Sequence, residues 1–438
     1  VTESSPSSAP NQGTAAIEGR VFLAMIGIAA LIGIPAALVA VLLLGAIHEV
    51  EHLLWEVWPE SLGYAAPPWW MLVGIPVAGA LLVWAARTLL PGDGGHEPLD
   101  GLAVSATPVS YVPSIALAAL ASLAFGAVLG PEAPLIALGS ATGVVAARYW
   151  KLPDQGRTVV ALAGSFSAVS AVFGGPLVAG VLMLEAGIAA GASLIPALLP
   201  GLVAAAIGYV IFLGIGDWAG LPTQSLVVPG LPPYTSTRLV DLVLAVVVGV
   251  VVVVLVRAVR GIAHRVQGLR PRLGTGPTLL VAAVALGIIT ITAEALGASG
   301  RDVLFSGQAA LPDLVTQTSE SVILVLVVAK SLAYALCLGA GFRGGPVFPA
   351  IFIGVAVAML LVEVAGMSPT VALAIGTACG VTAFTRLIFT ALVFAGLMVG
   401  PAGGAAISAA VLAAASAWVM AAVLDKRRST IPDSPADV

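Results

Sequence analysis

From Val21 to Leu424 the chain alternates long apolar runs with short polar breaks, and nothing between the runs reads as a soluble domain. A helix that crosses the hydrocarbon of a bilayer needs about 20 consecutive apolar residues. Only 9% of the 438 residues are charged, against roughly 25% in soluble domains. The expected fold is therefore an all-α, polytopic membrane protein, with one multi-pass domain over residues 20–424. Residues 1–19, VTESSPSSAPNQGTAAIEG, hold too little apolar surface to order themselves and are expected to form a disordered tail. Residues 425–438 form a short second tail. The first apolar run, Val21 to about Ile47, exceeds a signal-peptide core of roughly 7–15 residues, so it is expected to stay as a helix in the cell membrane.

Charge placement orients the chain. Arg257, Arg260, Arg265, Arg270 and Arg272 cluster in one break and Lys426, Arg427 and Arg428 in another, whereas Glu49, Glu51, Glu56 and Glu60 follow the first run. Positive residues favour the inner side, so both termini and the 257–276 loop are expected in the cytoplasm. The net charge of −4, with dispersed basic residues, excludes a nucleic-acid partner. Cys337 and Cys379 lie inside apolar runs and read as packing residues. His48, His52, His96 and His264 offer no pair at ligand spacing, so no metal and no cofactor is expected.

Apolar segments are expected over 21–47, 68–90, 112–130, 134–149, 158–173, 176–192, 194–215, 239–259, 278–297, 320–338, 346–365, 369–384, 387–400 and 404–424. The segments 134–149, 158–173 and 387–400 are too short to cross and are bounded by Gly, Pro or Arg, the pattern of broken or re-entrant helices. A shift of 212 residues lays Pro134 on Pro346, Gly164 on Gly376 and Ala179 on Ala391. Interrupted segments at matching places in two halves point to inverted repeats with a transport site at mid-depth. The halves are expected at about 20–215 and 238–424, joined by the Pro-rich stretch 216–237.

One break carries an acid: Gly130-Pro131-Glu132-Ala133-Pro134. A helix that starts inside the membrane presents free N–H groups and the positive end of its dipole, an anion site that needs no basic side chain. Proline suits such a start because it lacks a donor that would go unpaired anyway, and Pro134 and Pro346 fit the role. Glu132 would then compete with a mobile anion when ionised and move away when protonated. The competing reading places Glu132 in a loop outside the membrane. The cost of an acid within the membrane favours the functional one.

These residues resemble the CLC family of chloride channels and proton-coupled chloride transporters. The family's G-[KR]-E-G-P motif is matched by Gly130-Pro131-Glu132-Ala133-Pro134, its P-L-A-G-x-L-F-x-x-E run by Pro176 to Glu185, its G-x-F-x-P motif by RGGPVFPAIFIG from Arg343 to Gly354, and its R-x-P-L-T segment by Thr385 to Phe394. The resemblance implies two inverted-topology halves with broken and re-entrant helices, assembled as a homodimer in the lipid bilayer. It implies transport of chloride or another small anion such as fluoride or nitrate, with protons as a second partner in an exchanger. It makes Glu132 the gate, places Gly95, Gly130, Ala133, Gly345, Val347 and Phe348 at the anion, and offers Glu185 as a proton relay.

The departures shape the functional expectation. Gly95, in Gly94-Gly95-His96-Glu97-Pro98, stands where the family carries its pore serine, and Pro346 removes one N–H, leaving Val347 and Phe348 as donors. The last tyrosine, Tyr334, comes too early to be the family's C-terminal pore tyrosine, and Ala186 occupies the usual relay position. Passive, pH-modulated conduction is therefore expected ahead of proton-coupled exchange. Glu185 reads equally as a relay or as a partner in helix-packing hydrogen bonds. Lys330 and Arg386 read as structural cations, and Glu294 and Glu363 as interfacial acids. Two other readings are weaker. An intramembrane serine protease at Gly297-Ala298-Ser299-Gly300 would lack a histidine on a later helix, and an organic-solute transporter would carry more polar side chains.

Overall fold

The computed structural model describes residues 19–102, 105–189, 195–219 and 226–429. The expected N-terminal tail, part of the joint and residues 430–438 lie outside the described residues. Among those described, the principal helices are α1 (Gly19–His52), α2 (Trp69–Leu89), α3 (Val112–Leu123), α4 (Glu132–Tyr149), α5 (Asp154–Val172), α6 (Pro176–Ala189), α7 (Ile195–Ala219), α8 (Leu239–Gln267), α9 (Thr275–Ala295), α10 (Glu320–Ala340), α11 (Val347–Ala365), α12 (Pro369–Thr385), α13 (Ile388–Val399) and α14 (Ile407–Ser429). Each falls on one of the expected segments. The last helix runs on to Ser429, so residues 425–429 continue it rather than begin the tail.

Among the described residues, eight helical stretches are long and apolar enough to cross a membrane. Others are not: α3 has 12 residues and α6 has 14, about 18 and 21 Å at 1.5 Å per residue, well short of a hydrocarbon core of about 30 Å. Proline and glycine set the boundaries. Pro68 and Pro153 precede α2 and α5 in extended conformation, and Gly341 and Gly366 end α10 and α11 in the left-handed region, which glycine adopts without a Cβ penalty. On α8, Val243, Val247, Val251 and Val254 form an exposed apolar stripe. Lipid is the solvent such a stripe fits.

Lipid tails are as apolar as the helices, so association rests on close packing of small residues. The tightest approaches occur in two equivalent pairs. A Cβ on Gly139 of α4 would lie 2.4 Å from the Gly164 carbonyl oxygen of α5, and one on Gly354 of α11 would lie 2.2 Å from that of Gly376 on α12. These pairs also correct the expected register. The second helices follow the 212-residue shift, Gly164 to Gly376, but the first follow a 215-residue shift, Gly139 to Gly354 and Pro131 to Pro346. A three-residue difference, nearly one helical turn, separates the two halves of each pair, which no single offset can represent.

The two breaks meet directly. Gly130 N–H donates to the Gly345 carbonyl at 2.7 Å while Gly345 N–H donates to Gly130, an isolated antiparallel bridge. Such reciprocal bonding is what an approximate two-fold axis produces. The joint packs on the second half: Val228 and Tyr234 N–H donate to Met398 and Ala402, and the Thr370 hydroxyl to Pro232.

Candidate functional site

Both first helices of the pairs begin in the same way. Pro131 is the N-cap of α4 and Pro346 of α11, each preceded by a bridging glycine. The sequence therefore repeats Gly-Pro-x-x-Pro, as GPEAP and GPVFP. Pro134 is the third residue of α4, not its start, and Glu132 is the first residue of the helix rather than a residue before it.

From that position Glu132 reaches across the bridge. Its Oε1 accepts the Val347 N–H at 3.0 Å and the Phe348 N–H at 3.1 Å. The side chain is fully buried, and Oε2 has no hydrogen-bond partner. A carboxylate bonded to unpaired donors at a helix N-terminus is a charge-assisted arrangement. The bridging glycines make the slot for it: a Cβ would lie 2.1 Å from Oε2 at Gly130 and 1.9 Å at Gly345.

Tyr334 of α10 completes the support, donating its buried hydroxyl to the Pro346 carbonyl at 2.7 Å. The ring of Phe348 meets Phe173 at 5.8 Å and Phe394 at 6.2 Å, and those two rings meet edge-on at 4.8 Å. On the other side, a cavity of about 490 Å³ reaches Leu129 and Pro131, and its lining includes His48, Glu51, Arg301 and Asp313.

Other expected residues lie elsewhere or act differently. Gly130 and Gly345 direct their N–H groups at each other, so they shape the slot and donate to nothing in it. Ala133 follows Glu132 in the first turn of α4, ahead of the first bond along this helix, Leu135 to Pro131. Gly95 is not among the groups around the carboxylate. Its N–H is taken by Gly92 in a turn, and it packs on Ile115 of α3.

Glu185 of α6 accepts the N–H groups of Ile388, Phe389 and Thr390 at 3.1, 2.8 and 2.7 Å, and the Thr390 hydroxyl at 2.6 Å. It thereby caps α13, as a packing partner would. Lys330 donates to the carbonyls of Asp302, Leu304 and Phe305 and lies 4.7 Å from the Phe352 ring centre. Arg386 pairs with Asp425. Both act as structural cations. Ser299 is the N-cap of a short turn at Gly300–Val303, and none of the four histidines follows it in the sequence.

Sequence reasoning passed over Tyr334 and Arg343. The available signals were a hydroxyl four residues after Lys330 in an apolar helix, and a charge directly before the Gly344-Gly345-Pro346 break.

The family model described as "Voltage gated chloride channel" matches residues 79–421. A relative from Escherichia fergusonii, "Putative ion-transport protein YfeO", is 28% identical over 368 residues, 82% of each chain. Two solved structures share the fold. "X-ray crystal structure of a slow cyanobacterial Cl-/H+ antiporter" superposes with a TM-score of 0.75 at 16% identity, covering 94% of this chain and 99% of that one. "Crystal structure of a CLC-type fluoride/proton antiporter" does so with 0.72 at 18%, covering 92% and 96%. The family match spans both helix pairs and the slot between them, and the chain belongs to the voltage gated chloride channel (CLC) family of anion transport proteins.

Proposed function

We propose that the protein moves chloride or a similar small inorganic anion across the cell membrane along a path that Glu132 blocks when ionised and clears when protonated. The observation that carries this reading is the seat of Oε1 on the Val347 and Phe348 N–H groups. Those two donors suit any small anion, so the carboxylate and a mobile anion compete for one place. A proton removes the charge that holds the side chain there. The cavity that reaches Leu129 and Pro131 supplies an approach to the slot. By the positive-inside tendency the arginine-rich face, with both termini, is cytoplasmic.

Passive conduction is favoured over exchange. A proton relay must hand its proton on, and the Glu185 carboxylate is instead engaged by four donors at the start of α13, the geometry of a helix cap. Exchange is supported by a different observation, the unpartnered Oε2 of Glu132, where a proton has room to sit. The two readings separate in proteoliposomes given a chloride gradient with the membrane potential clamped near zero. Conduction predicts no uphill proton movement and the same result for Glu185→Gln. Proton uptake at a constant ratio to chloride, lost in Glu185→Gln, would establish the exchanger.

A homodimer with one path per subunit is also proposed, by family analogy and from the small-residue faces of α7 and α14. The mass in lipid nanodiscs is expected to be that of two chains; a single-chain mass would count against it.

A further inference from the structure

Four of the seven residues from Gly339 to Gly345 are glycine, and Gly341 stands at φ 109°. The stretch closes the last turn of α10 at Gly339 and Ala340 and continues as a loop from Gly341; a run of this composition has little conformational preference of its own, yet it leads directly to the Val347 and Phe348 N–H groups. Three guanidinium groups hold it. Arg87, in the last turn of α2, donates to the Gly341 carbonyl at 2.8 Å. Arg270, in the segment joining α8 to α9, donates twice to the Gly339 carbonyl, at 2.8 and 2.6 Å. Arg343, whose side chain is 1% exposed, belongs to the loop itself and donates to the Asp93 carbonyl at 3.0 and 2.8 Å.

Two carboxylates tie the arginines together. Asp93 pairs with Arg87 at 2.8 Å and Arg343 at 2.6 Å. Glu97 pairs with Arg270 and accepts the Gln267 amide at 2.9 Å, with Arg343 at 3.6 Å and Arg87 at 3.9 Å. Of the cluster, Glu97 lies within, and Asp93 directly before, the Gly94–Pro98 stretch that the family resemblance matches to the first anion-binding motif.

We propose that Arg270 and Glu97 are positioning residues for the gate: by clasping the glycine loop they set how firmly the α11 N–H groups hold the Glu132 carboxylate. The inference rests on the reading of Glu132 as the gate and extends it to the segment joining α8 and α9. Bonds from N–H groups favour the ionised carboxylate, so a looser loop lets Glu132 take its proton at higher pH.

The titratable group facing Glu132 from α10 is Tyr334, committed to Pro346; α11 and the break before α4 present backbone donors and glycines. Burial pushes the Glu97 carboxyl up, but the bond and charge of Arg270, with Arg343 and Gln267, outweigh it and hold the group below its ordinary value. His96 beside it is lowered, by burial first and also by Arg343. Of the remaining groups, Asp93 is paired with both Arg87 and Arg343.

The test is the pH profile of chloride efflux from liposomes carrying the full chain. Arg270→Gln is expected to move the midpoint up by about one pH unit, and Glu97→Gln, which removes the carboxylate that orients the Arg270 guanidinium, to move it in the same direction by less. Arg270→Lys should recover part of the shift, because an ammonium can reach Gly339 but lacks the planar fork that also holds Glu97. Glu97→Gln leaves both Arg270 bonds to Gly339 in place, so it carries the comparison if Arg270→Gln fails to reconstitute. Unchanged midpoints in both, with Glu132→Gln still removing the pH response, overturn the clasp alone. A pH response that survives Glu132→Gln overturns the gate and the clasp together.

Discussion

Glu132→Gln yields anion flux that no longer responds to pH, and Glu132→Ala yields flux faster than wild type at every pH. Glutamine keeps an oxygen of the same reach, so it can still accept the Val347 and Phe348 N–H groups that hold Oε1. It carries no charge, and a neutral hydrogen bond is weaker than a charged one by about 1–1.5 kcal/mol. That difference is roughly tenfold in occupancy of the slot. The amide therefore leaves more often, at a rate without a titration. Alanine removes the competitor altogether, and flux at high pH is expected to rise by at least about tenfold over wild type. Liposome efflux measured across the pH range checks both variants. Wild-type profiles in both would remove Glu132 from the path.

Gly345→Ala is the second change with a large expected effect, because it alters the gate without touching its chemistry. The new Cβ would lie 1.9 Å from Oε2 and 2.5 Å from the carboxyl carbon of Glu132, distances no pair of such atoms tolerates. The bridge to Gly130 is made by backbone atoms that alanine retains, whereas the carboxylate is the far end of a flexible side chain. The side chain should yield, which leaves Glu132 ionised but displaced. Flux at high pH then approaches the wild-type value at low pH, and the profile flattens. Gly130→Ala, at 2.1 Å from the same oxygen, should act in the same direction. A stable Gly345→Ala protein with the wild-type pH profile would show that the slot does not hold the gate shut.

Much of the site was legible because membrane insertion leaves local marks. Hydropathy marks each helix, since every crossing segment must be apolar along its own length. Proline and glycine mark each break, since they act on the backbone at their own position. An acid inside such a break is costly wherever the helices go, so Glu132 stood out before any contact was known. The two donors were legible for a related reason: once Pro346 is set aside, Val347 and Phe348 carry the next N–H groups.

What the residues could not show is which breaks meet. The repeat was visible only at the 212-residue shift of the second helices, because the 215-residue register of the first depends on a turn of helix absorbed between them. Without that register, Pro134 looked like a helix start and Glu132 like a residue outside the helix. Glu185 looked as much like a relay as a cap until α13 was placed against α6. Gly95 looked like a weakened anion ligand, although its neighbours are Ile115 and a turn, with Arg87 and Arg343 packed on Gly94.

The list of helices, the breaks and the lone acid are properties of short stretches, and the order of amino acids is enough to set them. The slot between Gly130 and Gly345, the seat of Oε1 on α11 and the clasp of Arg87, Arg270 and Arg343 join residues up to 254 positions apart. Helix packing alone brings those residues within hydrogen-bonding reach, so only the folded chain decides them.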